Sequence, residues 1–138
     1  MRLSVEDRQS FSQAYVVFAD ETSLWWLRLL KPGFRHCYLL YLLEDNRTFL
    51  ELNPLSNQFF VCFRQTLDPQ LYLQSLRYRG CRVCKVNIAC APLKCAPVNI
   101  FTCVEFVKRA LGIHSFFTIT PFQLYNKINK SRKKLLTK

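Results

Sequence analysis

Two β-rich runs facing each other across a short polar turn constrain this chain more than any other feature. Phe34 to Leu43 is dense in aromatic and branched aliphatic residues, and Thr48 to Leu52 returns in the same style. Between them Glu44-Asp45-Asn46-Arg47 is a turn signal, and Asn53-Pro54 stops the second run. Gln58 to Phe63 offers a third strand, and Ser12 to Phe18 (with Ala14-Tyr15-Val16-Val17-Phe18) an earlier one. Runs this short and this close together pair antiparallel, so the sequence predicts an antiparallel meander.

Helical signals surround it. Asp20-Glu21-Thr22-Ser23 can cap a short helix over Leu24 to Leu30, ended by Lys31-Pro32-Gly33. Asp68-Pro69 opens a helix with apolar spacing Leu71, Leu73, Leu76, and Gly80 ends it. Cys81 to Cys90 alternates like a strand, Ala91 to Asn99 is a proline-bearing loop, and Phe116 to Ile119 reads as one more short strand. Thr120-Pro121 is an N-cap with proline at the first helical position, opening a last helix through Phe122, Leu124, Tyr125 and Ile128. Strands and helices in separate blocks define an α+β domain, spanning residues 1–130, with a basic tail at 131–138.

Thr102-Cys103-Val104-Glu105 carries the chemistry. It has the Thr-x-x-Glu pattern of a capping box and opens an apolar helical run (Val104, Phe106, Val107, Ala110, Leu111) that Gly112 stops. Cys103 then sits at the first helical position, facing main-chain N–H groups and the positive end of the helix dipole. Both favour thiolate over thiol and make a nucleophile near neutral pH. The bland alternative is a small buried hydrophobe, which most free cysteines are.

A nucleophilic thiol needs a base, and the chain has two histidines. His114 lies past Gly112, about 15 Å from Cys103 at the far end of the same helix. That leaves His36, in the first strand of the meander. A third group that orients the imidazole belongs on the next strand, where Glu51 and Asn53 share one face. Asn53 is favoured by its place at the strand end, with Glu51 as the alternative.

Other chemistries are weaker. Cys81-x-x-Cys84 with Cys90 and Cys95 has loose zinc spacing, but a strand would point Cys81 and Cys84 to opposite faces. No metal or cofactor is therefore expected. Trp25, Trp26, Phe59, Phe60, Phe116 and Phe117 can stack nucleic-acid bases, but core packing accounts for them more simply. No phosphate-binding loop, dinucleotide fingerprint or RNA-module signature is present.

The charge is uneven. The formal net charge is +11, and the half from residue 70 onward holds 13 Lys/Arg against a single acidic residue. That half attracts anionic partners, with Lys127, Lys130, Arg132, Lys133, Lys134 and Lys138 crowded near the end. The first residues show no apolar secretory segment and no run reaches membrane-spanning length, so a soluble cytoplasmic protein without a membrane span is expected. Seven cysteines, an odd count, read in that setting as reduced thiols.

A histidine in an early strand, a polar group one strand later, and a cysteine at a helix start toward the C-terminus together resemble the circularly permuted papain-like superfamily. The likeness is to its NlpC-like branch, which includes relatives of lecithin retinol acyltransferase. The blocks Lys31-Pro32-Gly33-Phe34-Arg35-His36-Cys37, Leu52-Asn53-Pro54-Leu55, Phe101 to Ile113 and Thr120 to Tyr125 look like a small bacterial and bacteriophage family. The resemblance implies a permuted papain-like sheet packed against the nucleophile's helix, and a thiol-dependent hydrolase or acyltransferase. In it Cys103 is nucleophile, His36 general base and Asn53 the orienting group, acting on a peptide or lipid-ester substrate in the host cytoplasm or a virion. The branch often places the third group about a dozen residues after the histidine; Glu51 and Asn53 lie 15 and 17 after it, which calls for a longer hairpin. A non-enzymatic binding module of the same fold, with its basic surface on nucleic acid or a virion partner, is the alternative.

Overall fold

A computed structural model describes residues 11–22, 25–55, 58–87 and 102–136. Five strands form one sheet: β1 (Gln13–Ala19), β2 (His36–Leu42), β3 (Thr48–Pro54), β4 (Phe59–Gln65) and β5 (Arg82–Val86). Three α-helices follow or interleave: α1 (Pro69–Tyr78), α2 (Cys103–Ala110) and α3 (Pro121–Leu136). The strand order is β4-β3-β2-β1-β5, with every neighbouring pair antiparallel. The expected α+β class and the meander are present as β2, β3 and β4. The chain's fifth strand does not extend that meander but crosses to the far side of β1.

The sheet lies between two helical layers. On one face Val16, Phe18, Cys37, Leu39 and Cys84 pack with Val104, Val107, Leu124 and Ile128 of α2 and α3. On the other Tyr15, Val17, Leu40 and Phe49 pack with Leu73 and Leu76 of α1. Both faces of β1 and β2 are thus covered, which is why these strands read as nearly continuous apolar runs. The two faces also separate Cys84 from Cys81, which packs on the α1 side.

The turn between β2 and β3 follows from its residues. Asp45 Oδ1 accepts from the main-chain N–H groups of Arg47 and Thr48, both at 2.9 Å, and Asn46 takes the left-handed conformation (φ 52°). The two strands that leave it are seven residues each, the longer hairpin that the His36 to Asn53 separation requires.

Helix ends are equally legible. Asp68 caps α1 by accepting from Gln70 N–H at 2.8 Å, with Pro69 at the first helical position. Both α1 and α2 end in a Schellman turn. Cys81 N–H donates to Leu76 O and Gly80 N–H to Arg77 O, and Ile113 N–H donates to Lys108 O and Gly112 N–H to Arg109 O. Gly80 and Gly112 sit at φ 88° and 66° in these turns, a conformation that costs a side chain dearly.

Four expectations need correction. The segment over Leu24 to Leu30 is a 3-10 turn at Trp25–Leu29, not an α-helix, and Asp20 is drawn away from capping it to bond Gly33 N–H at 2.8 Å and Arg35 at 3.0 Å. Phe116 to Ile119 is irregular, because Thr118 spends its carbonyl on Lys108 Nζ (3.2 Å) and its hydroxyl on Ser115 (2.8 Å). Residues 131–136 continue α3 instead of forming a tail. The six aromatics assigned to the core are exposed, among them Trp25 (77%), Phe116 (66%) and Phe117 (88%). They lie on a turn, an edge strand and a loop, outside the doubly covered centre of the sheet. The strand expected over Cys81 to Cys90 is present at Arg82–Val86, while Cys90, Cys95 and the loop from Ala91 to Asn99 lie outside the described residues.

Candidate active site

Thr102 caps α2 as expected, with its hydroxyl accepting from Glu105 N–H at 3.2 Å. Cys103 is therefore the first residue of the helix. Glu105 does not spend its carboxylate on closing the box: it accepts from Lys108 Nζ at 2.6 Å and Arg109 Nε at 3.3 Å. Glu105 and Lys108 are both buried, so this ion pair pins the first turn of the helix from beneath.

The tip of α2 meets the N-terminal end of β2. There Cys103 packs against the core cluster that holds the fully buried Cys37, and Cys37 and the half-buried His36 are the neighbours that act on its thiol. His36 Nε2 lies 2.7 Å from Asn53 Oδ1. Asn53 Nδ2 donates in turn to Glu51 Oε1 at 3.3 Å, and Glu51 Oε2 accepts from Arg64 Nε. The carboxylate only accepts, so the Asn53 amide must present nitrogen to Glu51 and oxygen to His36. Asn53 oxygen then requires a proton on His36 Nε2, which leaves Nδ1 as the ring nitrogen for the thiol.

Electrostatics follow from these contacts. The Cys103 thiol is pushed down to about 5. Its largest cause is the hydrogen bond from the Cys37 side chain; burial opposes it, and the His36 hydrogen bond, His36 charge and Cys37 main-chain N–H add to it. Burial works against the His36 imidazolium, but the interactions with Cys103 and Asn53 and the thiolate charge outweigh it, so its pKa is raised from the ordinary value. Cys37 is driven well up, first by burial and then by the neighbouring thiolate. The site is thus built to hold thiolate beside imidazolium.

The structure brings Cys103, His36 and Asn53 together. Between Asn53 and Glu51 it makes a division of labour: Asn53 touches the imidazole and Glu51 holds Asn53. His114 follows the C-terminal turn of α2, at the opposite end from Cys103. Cys37 and Arg64 were not singled out in the sequence. Cys37 had one available signal, its adjacency to His36 on a strand end, and Arg64 had its diagonal position across from Glu51, which pairs with Cys62. Beside the helix-end amides read from the sequence, the Cys37 side chain is a leading influence on the sulfur.

On the open flank of α2, Phe106 lies one turn beyond Cys103 and meets the Phe59 ring edge-on at 4.9 Å. Among the described residues no group of three or more His, Cys, Asp or Glu side chains is disposed to hold a metal. No helix among them is long and apolar enough to cross a membrane. No protein-family model, curated protein or solved structure matches the chain.

Proposed function

We propose that this protein is a thiol-dependent hydrolase or acyltransferase of the permuted papain-like kind, acting on an amide or ester. One observation carries the reading: the Cys103 thiol stands at a helix start within the electrostatic reach of His36, and His36 is oriented by Asn53. His36 Nδ1 takes the thiol proton, and the sulfur attacks the substrate carbonyl. The oxyanion that forms is met by first-turn amides of α2, those of Cys103 and Val104, which no helical carbonyl reaches. His36 then protonates the leaving nitrogen or oxygen, leaving a thioester on Cys103. Water, or an acceptor alcohol or amine, gives its proton to His36 and attacks the thioester, which frees the sulfur. The Phe59 and Phe106 rings favour a substrate with an apolar group beside the scissile bond, whether peptide or lipid ester.

An acylating probe read by intact mass tests this. Wild type should gain one acyl group, mapped to Cys103, and Cys103→Ala should gain none. Labelling of another cysteine, or equal labelling of a His36→Ala variant, would overturn the reading.

The binding-module reading has its own support in α3. Its outer half carries Lys127, Lys130, Arg132, Lys133 and Lys134, the helix contains no acidic residue, and Asn126, Asn129, Lys130, Arg132 and Lys133 line a shallow concavity. Binding of a polyanion that weakens steeply with salt, and that persists in Cys103→Ala, would favour it.

A further inference from the structure

Cys37 has no part in the proton traffic of the hydrolytic cycle, yet it is fully buried in the core cluster against which Cys103 packs, and it is the neighbour that acts most strongly on the Cys103 sulfur. Cys103 is only partly buried, at the open tip of α2, where a small oxidant can reach it. One thiol is thus accessible and the other sheltered directly behind it. Cys62, Cys81 and Cys84 are placed differently: Cys62 on the edge strand β4, Cys81 on the α1 side of the sheet, and Cys84 across β1 on β5.

The geometry points to Cys37 and Cys103 as an oxidation site, a peroxide-reactive thiol and its resolving partner, that closes to a disulfide and silences the nucleophile reversibly. The oxidant is a hydroperoxide. The Cys103 thiolate attacks the outer peroxide oxygen, the O–O bond breaks, and the departing alkoxide or hydroxide takes the proton held on His36. Cys103 is then a sulfenic acid and His36 is neutral. The Cys37 sulfur attacks the Cys103 sulfur and the S–OH bond breaks. The Cys37 proton leaves with the hydroxide as water, passed through His36. Two thiols have lost two electrons, and the peroxide has become an alcohol (or water) plus water.

The arrangement also explains what a buried thiol adds beside a nucleophile. Without a partner the sulfenic acid is open to a second peroxide and passes to sulfinic acid, which ordinary thiols do not reverse. With Cys37 in contact, ring closure competes with that second oxidation. A dithiol reductant restores both thiols.

This inference needs no acyl substrate, so its failure and the failure of the hydrolase reading are separable. The full chain is treated with equimolar hydrogen peroxide, the remaining thiols are alkylated, and non-reduced mass and peptide maps are recorded. The expected result is loss of two hydrogen atoms, a Cys37–Cys103 linked peptide, and full recovery of both thiols with dithiothreitol. Under the same treatment Cys37→Ser should give a dimedone-trappable Cys103 sulfenic acid, followed by gain of a second oxygen. Cys103→Ser should not lose the two hydrogens at all. Direct passage of wild type to sulfinic acid, a link from Cys103 to any other cysteine, or a disulfide that survives Cys103→Ser would overturn it.

Discussion

The pH profile of alkylation at Cys103 tests the site most sharply. With its pKa at about 5, Cys103 is about 90% thiolate at pH 6, whereas a thiol at the ordinary 9.0 is about 0.1% ionised, an advantage approaching a thousandfold. A thiolate of lower basicity is also a weaker nucleophile. With a Brønsted slope of about 0.45, four pH units cost about 60-fold in intrinsic reactivity. The net expectation is that Cys103 reacts with iodoacetamide about 10- to 20-fold faster than an equally accessible ordinary cysteine at pH 6. The order reverses above about pH 7, where the ionised fraction of an ordinary thiol passes about 1 in 60 and its greater intrinsic reactivity takes over. Peptide-resolved mass spectrometry from pH 4 to 10 gives every cysteine its own curve. A Cys103 curve that inflects near 8 or 9, or a different cysteine leading at pH 6, would refute the placement of donors around this sulfur.

Cys37→Ala removes the leading hydrogen bond to the sulfur; a bond to a charged group is worth about 1.5–3 kcal/mol, so the Cys103 inflection should rise by about 1–2 pH units. His36→Ala should lower turnover of an ester substrate by about 10²–10⁴-fold. Asn53→Ala should lower it less and chiefly in kcat, because the ring stays and only its orientation is lost; steady-state kinetics of both variants check this. Lys108→Met strips a buried partner from Glu105, and with Arg109 still in place the loss should be near the lower end for a broken buried pair, about 3 kcal/mol by urea unfolding at pH 7. Burial alone would raise the Glu105 pKa, but Lys108 and Arg109 hold it below the usual glutamate value. Its stabilisation is therefore complete above that usual range and is lost as pH falls through the folded value, so the gap between wild type and Lys108→Met should shrink in acid.

Much of this was legible where a local rule and the tertiary structure agree. Asp45 and Asn46 fix the hairpin turn by side-chain and left-handed backbone chemistry that any context would use. Thr102, Asp68, Gly80 and Gly112 likewise mark helix ends through bonds made within a few residues. What the sequence hid was non-local. Cys81 to Cys90 shows alternation but not that its strand portion joins β1 rather than the end of the meander. Phe59, Phe60 and Val61 look like core residues by composition, yet β4 is an edge strand whose outer faces no helix covers fully. Lys108 looks like a solvated lysine on an amphipathic helix, and only the approach of Thr118 O and Glu105 makes its burial tolerable.

The site itself depends on a property of strands that acts at their ends. Successive residues point to opposite faces, so His36 shares its face with Tyr38, while Cys37 belongs to the face that α2 covers. Within the sheet those two side chains could never meet a common group. At the end of β2 the sheet no longer separates them, and the tip of α2 brings one sulfur against both. The register set by the Asp45 turn pairs Leu39 with Leu52 and Leu40 with Glu51, which puts Glu51 and Asn53 on the His36 face. A slip of one residue would carry the amide and the carboxylate to the α2 face and leave the imidazole without its orienting oxygen. The turn chemistry of Asp45 and Asn46, distant from the thiol, is thus a determinant of the triad, and Arg64 on β4 holds the same register from the other side through Glu51.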